Sequence, residues 1–268
     1  MKRLTYLIIV IALLMSLLVT SCNTSLDPAQ IVSATQDTVN DVEEYNGDVF
    51  AEIQTNIDKV NTLKAKMLDA NLSGNPLTLE ETIKDVEAIT KSYEKLASHK
   101  AEILKKFTDK IKNLTSMQKS VDSEISILNR RIDNYNKQLA NLNSTTSDAE
   151  MVRTRTKALN KAIDYVNSQI KLWNQFSKLE GDINTEMNNV IWQVNDFLSV
   201  IDSSAILFRE GLNLLKLQKN IDDALSLFTV DMPTVQRLTM EMENSWDNLD
   251  YLVNSLTSVT TSLNINQN

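Results

Sequence analysis

Along most of this chain apolar residues recur at steps of three and four, the spacing that lines one face of a helix. One seam runs through Val39, Val42, Val49, Ile53, Ile57, Val60, Leu63 and Met67. Asp27 stands before it as a helix N-cap, with Pro28 at the first helical position. The cluster Asn71-Leu72-Ser73-Gly74-Asn75-Pro76 ends it. Thr78 and Glu81 form a capping box for a second seam, from Leu79 through Tyr93, Leu96, Ile103 and Phe107 to Leu142. Lys100 fills its one gap, and the spacing predicts an unbroken helix. After a turn at 143–146, Ser147 and Glu150 make a second capping box. The third seam carries Val152, Leu159, Val166, Trp173, Phe176, Met187, Val194 and Ile201. Asp202-Ser203-Ser204 either breaks that helix or lets it run on to about Phe228. Asp231, before Pro233, starts a last helix with Val235, Leu238, Met242, Trp246, Leu249, Leu252 and Leu256. The fold expected is all-α: long antiparallel helices joined by short loops into a slender, coiled-coil-like helical bundle.

The first 22 residues follow another pattern. Lys2 and Arg3 precede an apolar run from Leu4 to Val19, and small residues lead up to Cys22. A basic start, a short apolar stretch and small residues at its end mark a secretory signal. The tetrad Val19-Thr20-Ser21-Cys22 resembles the lipobox of bacterial lipoproteins. That resemblance implies cleavage between Ser21 and Cys22 and acylation of the Cys22 thiol. Residues 1–21 are then a signal peptide, 22–27 a lipidated N-terminus with a short tether, 28–262 the helical bundle and 263–268 a frayed tail. At about 16 residues the apolar run is close to the lower limit for spanning a bilayer. Val190 to Leu217, the next most apolar stretch, is interrupted by Asp196, Asp202, Arg209 and Glu210. In general character the bundle resembles spectrin-type and spirochaete surface-lipoprotein rods, but no motif carries a residue over from either.

Composition agrees with long helices. Only 4 Gly and 3 Pro occur in 268 residues, too few for the turns of a many-stranded sheet. Cys22 is the sole cysteine, so no disulfide within the chain is available. The formal net charge is −8, and −10 once Lys2 and Arg3 are cut away. Taken whole, such a chain is a poor ligand for nucleic acid or anionic lipid. The charge is segregated. Residues 23–58 hold eight acids and no Lys or Arg, while residues 91–119 hold eight lysines against Glu94, Glu102 and Asp109. This basic stretch is expected to pair with its acidic neighbours. The alternative is an outward basic patch.

Chemistry-bearing patterns are scarce. His99 is the only histidine, so a histidine-based triad or metal site lacks partners, and it reads as a solvated flank residue. Four dispersed glycines form no phosphate loop. Adjacent acids such as Glu43/Glu44 and Asp222/Asp223 point to different faces. Trp173 and Trp246 fall on seams and read as core. Trp192 is the best candidate for an exposed aromatic. The chain is therefore read as a non-enzyme, with no catalytic, cofactor or metal residue. It is expected to be a membrane-anchored structural or protein-interaction rod of the bacterial cell envelope, on its periplasmic or surface face. A surface-exposed adhesin or host-ligand binder is the alternative, and a helical pore-former a third. The expected partners are the membrane, through the lipid on Cys22, and a protein.

If the basic stretch pairs with its neighbours, charge reversal at Lys105, Lys106 and Lys110 should lower the melting temperature. The loss should shrink at high salt, because exposed pairs are each worth about 0–1 kcal/mol and are screened. Thermal melts at low and high ionic strength check this.

Overall fold

The computed structural model describes residues 26–75, 77–145, 148–217, 224 and 226–265. The elements among them are five helices: α1 (Pro28–Leu72), α2 (Leu79–Ser98), α3 (Lys100–Thr145), α4 (Ala149–Lys216) and α5 (Met232–Ile265). The helices pack against one another as an all-α bundle, with no strand among the described residues.

Most starts follow from the sequence. Asp27 Oδ1 accepts from the Ala29 N–H at 2.9 Å, ahead of Pro28. Thr78 and Glu81 form the full capping box, each side chain bonding the other's backbone N–H. Hydrogen bonds to the Thr78 backbone and hydroxyl hold the Glu81 carboxyl below its usual range. Asp231 caps α5 by accepting from the Thr234 N–H at 3.2 Å and its hydroxyl at 2.6 Å. α1 ends in a Schellman turn, in which the Asn75 N–H reaches back to the Ala70 carbonyl at 3.1 Å. Gly74 occupies its left-handed position at φ 69°.

Three expectations need correction, and one left open is resolved. The second seam is not one helix. It breaks at His99, whose backbone sits at φ −88°, ψ −2°. The break falls in the seven-residue gap between the buried Leu96 and Ile103, where no apolar side chain holds the register. It is slight: the His99 N–H is shared by the Lys95 and Leu96 carbonyls, and its own carbonyl accepts from Ile103. The third helix does not turn at 202–204. Ile201, Ser204 and Ala205 are buried, and α4 continues to Lys216. The cap of α4 is Asp148, whose Oδ1 accepts from the N–H groups of Glu150 and Met151 at 3.0 and 3.2 Å. Ser147 lies outside the described residues. Finally, α5 runs through Ile265 with Leu263 fully buried, so the helix passes the expected start of the tail.

The chain divides into two compact units. Unit 1 takes residues 1–37, 113–184 and 250–268, and unit 2 takes 38–112 and 185–249.

The core of unit 2 is aromatic. Tyr93 meets Phe208 edge-on at 4.7 Å, Phe208 stacks on Phe228 at 4.9 Å, and Phe50 meets Phe197 edge-on at 4.4 Å. Around it lie exposed ion pairs: Lys66 with Asp85, Lys216 with Glu87 and Arg209 with Glu94, all at 2.6 Å. Their acids belong to α2 and their bases to α1 and α4. The expected sense of pairing therefore holds only at Lys110, 3.4 Å from Asp41. Lys106 pairs within its own helix with Glu102 at 3.0 Å, and Lys105 is exposed. Both Lys106 and Lys110 also sit over the Tyr45 ring, at 5.8 and 6.0 Å.

Gly211 lets Ala224 and Phe228 lie against α4. A Cβ there would stand 2.6 Å from Phe228 Cε2 and 2.8 Å from the Ala224 carbonyl oxygen, whereas one at Gly47 meets nothing within 4 Å. Gly211→Ala should therefore destabilise by about 1–3 kcal/mol through overpacking against backbone. Gly47→Ala should stabilise by about 0.5–1 kcal/mol through helix propensity. Thermal or urea unfolding of the two variants checks both signs.

Candidate functional site

Unit 1 contains the chemically unusual groups, and a seven-residue rhythm places them. On α3 the buried positions include Val121, Leu128, Tyr135 and Leu142 at seven-residue steps; on α4 they include Leu159, Val166, Trp173 and Glu180. Glu180 is thus a carboxyl at a core position, with no exposed surface. Its Oε1 lies 2.7 Å from the Thr35 hydroxyl, which donates to it, and Met117 Sδ is 3.6 Å from the same hydroxyl. Oε2 is buried with no hydrogen-bond partner. Burial pushes the carboxyl up to about 7, and the Thr35 bond only partly opposes this. Glu124 is also buried, and desolvation raises its pKa against the pull of Arg131. Trp173 Nε1 is a third buried polar atom without a partner. Among the described residues no group of three or more His, Cys, Asp or Glu could hold a metal ion. The carboxyls stand as separate buried groups.

The second feature of unit 1 is an arm. The unit takes residues 28–37 of α1, 113–145 of α3, 149–184 of α4 and 250–265 of α5. At 1.5 Å per residue these run roughly 15, 50, 54 and 24 Å. α1 and α4 leave the unit in the chain direction, while α3 and α5 enter it. The two short helices therefore accompany only part of the two long ones. Beyond them, over about residues 129–168, α3 and α4 are the only helices of the unit among the described residues and form an arm. Burial records the change. In the arm only one core position per heptad is fully buried, while Ile132, Leu139, Val152 and Ile163 are half-buried. From Trp173 onward, Phe176, Glu180 and Ile183 are all buried.

The arm is basic in an acidic chain. Residues 129–168 carry Arg130, Arg131, Lys137, Arg153, Arg155, Lys157 and Lys161 against Asp133, Asp148, Glu150 and Asp164. Arg153, Lys157 and Lys161 stand four residues apart on one face of α4. With Thr156, Asn160 and Asp164 they line a shallow, open groove of about 520 Å³. All three are exposed, and none of the salt bridges among the described residues involves them.

Cys22 and Ser21 lie outside the described residues. His99 is exposed at the α2–α3 break. Trp173 is fully buried, Trp246 is half-buried and Trp192 is 69% exposed. Sequence reasoning missed both Glu180 and the arm. Glu180 could have been found from its place midway between Trp173 and Met187, seven residues from each. No protein-family model, no curated protein and no solved structure matches this chain.

The Glu180 carboxyl fixes the sign of a pH dependence. Below its ordinary value of 4.5 it is neutral in both the folded and the unfolded chain. Between 4.5 and about 7 the unfolded chain ionises first, so stability falls as pH rises, by an amount on the order of 3 kcal/mol in total. Glu180→Gln removes the charge and keeps the shape. Its melting temperature should exceed that of the native chain at pH 8 and lose this advantage at pH 4. Melts across that range check it.

Proposed function

We propose that this chain is a bacterial lipoprotein, held at a membrane of the cell envelope by acyl groups on Cys22, and that it acts there as a non-catalytic structural or protein-interaction component. The observation that carries the reading is the lipobox-like Val19-Thr20-Ser21-Cys22, which is followed within six residues by the Asp27–Pro28 start of α1. The signal segment supplies export and the cysteine supplies attachment. No helix among the described residues is long and apolar enough to cross a membrane. One acyl chain binds a bilayer only marginally, so stable attachment requires acylation of both the thiol and the new amino group, or a second contact.

A surface-exposed adhesin or ligand binder is the second reading, and Trp192 favours it. This large aromatic is left 69% exposed, with Ile206 exposed two heptads further along the same stripe of α4. Exposed aromatics of this kind serve as binding anchors. The pore-forming reading has less support. Its candidate segment supplies Val190, Val194, Phe197, Leu198 and Ile201 to the buried core, and insertion would dismantle that core.

Cys22→Ser should move the protein from the detergent-extracted fraction of cells to the fraction released by high salt. If it stays in the membrane fraction with its N-terminus at Met1, an uncleaved apolar anchor holds it instead, and the lipoprotein reading fails.

A further inference from the structure

We propose that the basic α3–α4 arm of unit 1 docks on anionic phospholipid headgroups of the bilayer that holds Cys22. The inference rests on the lipoprotein reading and adds a second membrane contact to it. Two observations carry it. The first is geometric. Measured along the helices from where α1 leaves unit 1, the tip of the arm lies roughly 35 Å beyond the first residue of α1, at the end where that helix begins. The six residues from Cys22 to Asp27 span at most about 20 Å when fully extended. A bilayer held through Cys22 therefore cannot lie beyond the tip. The arm must run alongside the headgroups.

The second observation is charge. Seven bases face four acids over residues 129–168, in a chain of net −8. Arg153, Lys157 and Lys161 form an exposed line on α4, and Arg130 and Lys137 are exposed on α3. Asp164 shares the groove with the α4 line and offsets part of it. Basic side chains near an anionic leaflet gain from its surface potential, an attraction that fades within a Debye length. The overall charge argues against anionic lipid for the chain as a whole, and the arm is where that argument does not apply.

The test uses the complete chain from residue 22 with Cys22→Ser, so that no acyl chain contributes, sedimented with vesicles. Binding is expected to vesicles containing phosphatidylglycerol, and to weaken sharply at high salt. Pure phosphatidylcholine vesicles should leave the protein in the supernatant. The triple change Arg153→Glu, Lys157→Glu and Lys161→Glu should weaken binding on the order of a hundredfold. A matched reversal in unit 2, Lys64→Glu, Lys105→Glu and Lys112→Glu, should change it little. Circular dichroism checks that each variant is folded, and Arg153→Gln, Lys157→Gln and Lys161→Gln serve if the reversal is not. No binding to phosphatidylglycerol vesicles overturns the proposal, as does equal binding to phosphatidylcholine or an equal loss in the unit 2 variant. Tighter, arm-dependent binding to a single-stranded oligonucleotide overturns it in favour of a polyanion site. Failure here leaves the Cys22→Ser fractionation result standing, and failure of that fractionation leaves vesicle binding standing, so the two readings fall separately.

Discussion

Every packed layer of this protein depends on one constraint: α4 must keep a single face inward for its whole length. That face repeats every seven residues, from Leu159 through Val166, Trp173, Glu180, Met187, Val194, Ile201 and Phe208 to Leu215, and every one of these residues is buried. A straight helix drifts by roughly 20° per heptad against such a repeat. The repeat admits one carboxyl. A charge there opposes folding, and what it can supply in exchange is register, because only one alignment of α1 sets a hydroxyl opposite it. Thr35 answers Glu180 in unit 1. In unit 2 Asn46 meets Met242, and Gln193 meets Ser245, in the same manner. Apolar seams slide past one another at little cost, whereas polar layers do not.

The two units meet this constraint with different materials. In unit 2 paired aromatic rings fill the interior, and the exposed ion pairs around them add little each. Among its described residues unit 1 has one aromatic pair, Trp173 with Phe176 at 5.3 Å, and buried polar atoms at Glu124, Glu180 and Trp173. Unit 1 alone buries carboxyl groups, Glu124 and Glu180, among the described residues.

What the sequence made legible was whatever depends on local spacing. The seams, the Asp27, Thr78 and Asp231 caps and the Gly74 turn are each decided by a few neighbouring residues, and each stands where the pattern put it. The His99 break was hidden because it hardly changes the phase of the seam. The α4 cap was displaced by one residue because Asp148 and Ser147 both suit the role. The pairing of the charged segments was misjudged because which acid meets which base depends on helix faces, and a count of charges along the chain does not contain faces. The arm was the least legible. Nothing in residues 129–168 differs in pattern from the bundle, and its isolation follows from the shortness of α1 and α5 within the same unit.

The Asn46–Met242 contact joins residues 196 positions apart and belongs to the first and last helices. The inward face of α1 thus has no complete partner until the last helix is present. Hairpins formed by neighbours in sequence, such as α3 with α4, can close early, whereas α1 must wait for nearly the whole chain. For a polypeptide emerging from its N-terminus, the first segment made is among the last to be packed. A long interval with an uncovered apolar stripe is thereby built into the topology, and so is dependence on the last helix, whose loss would uncover α1 around Asn46.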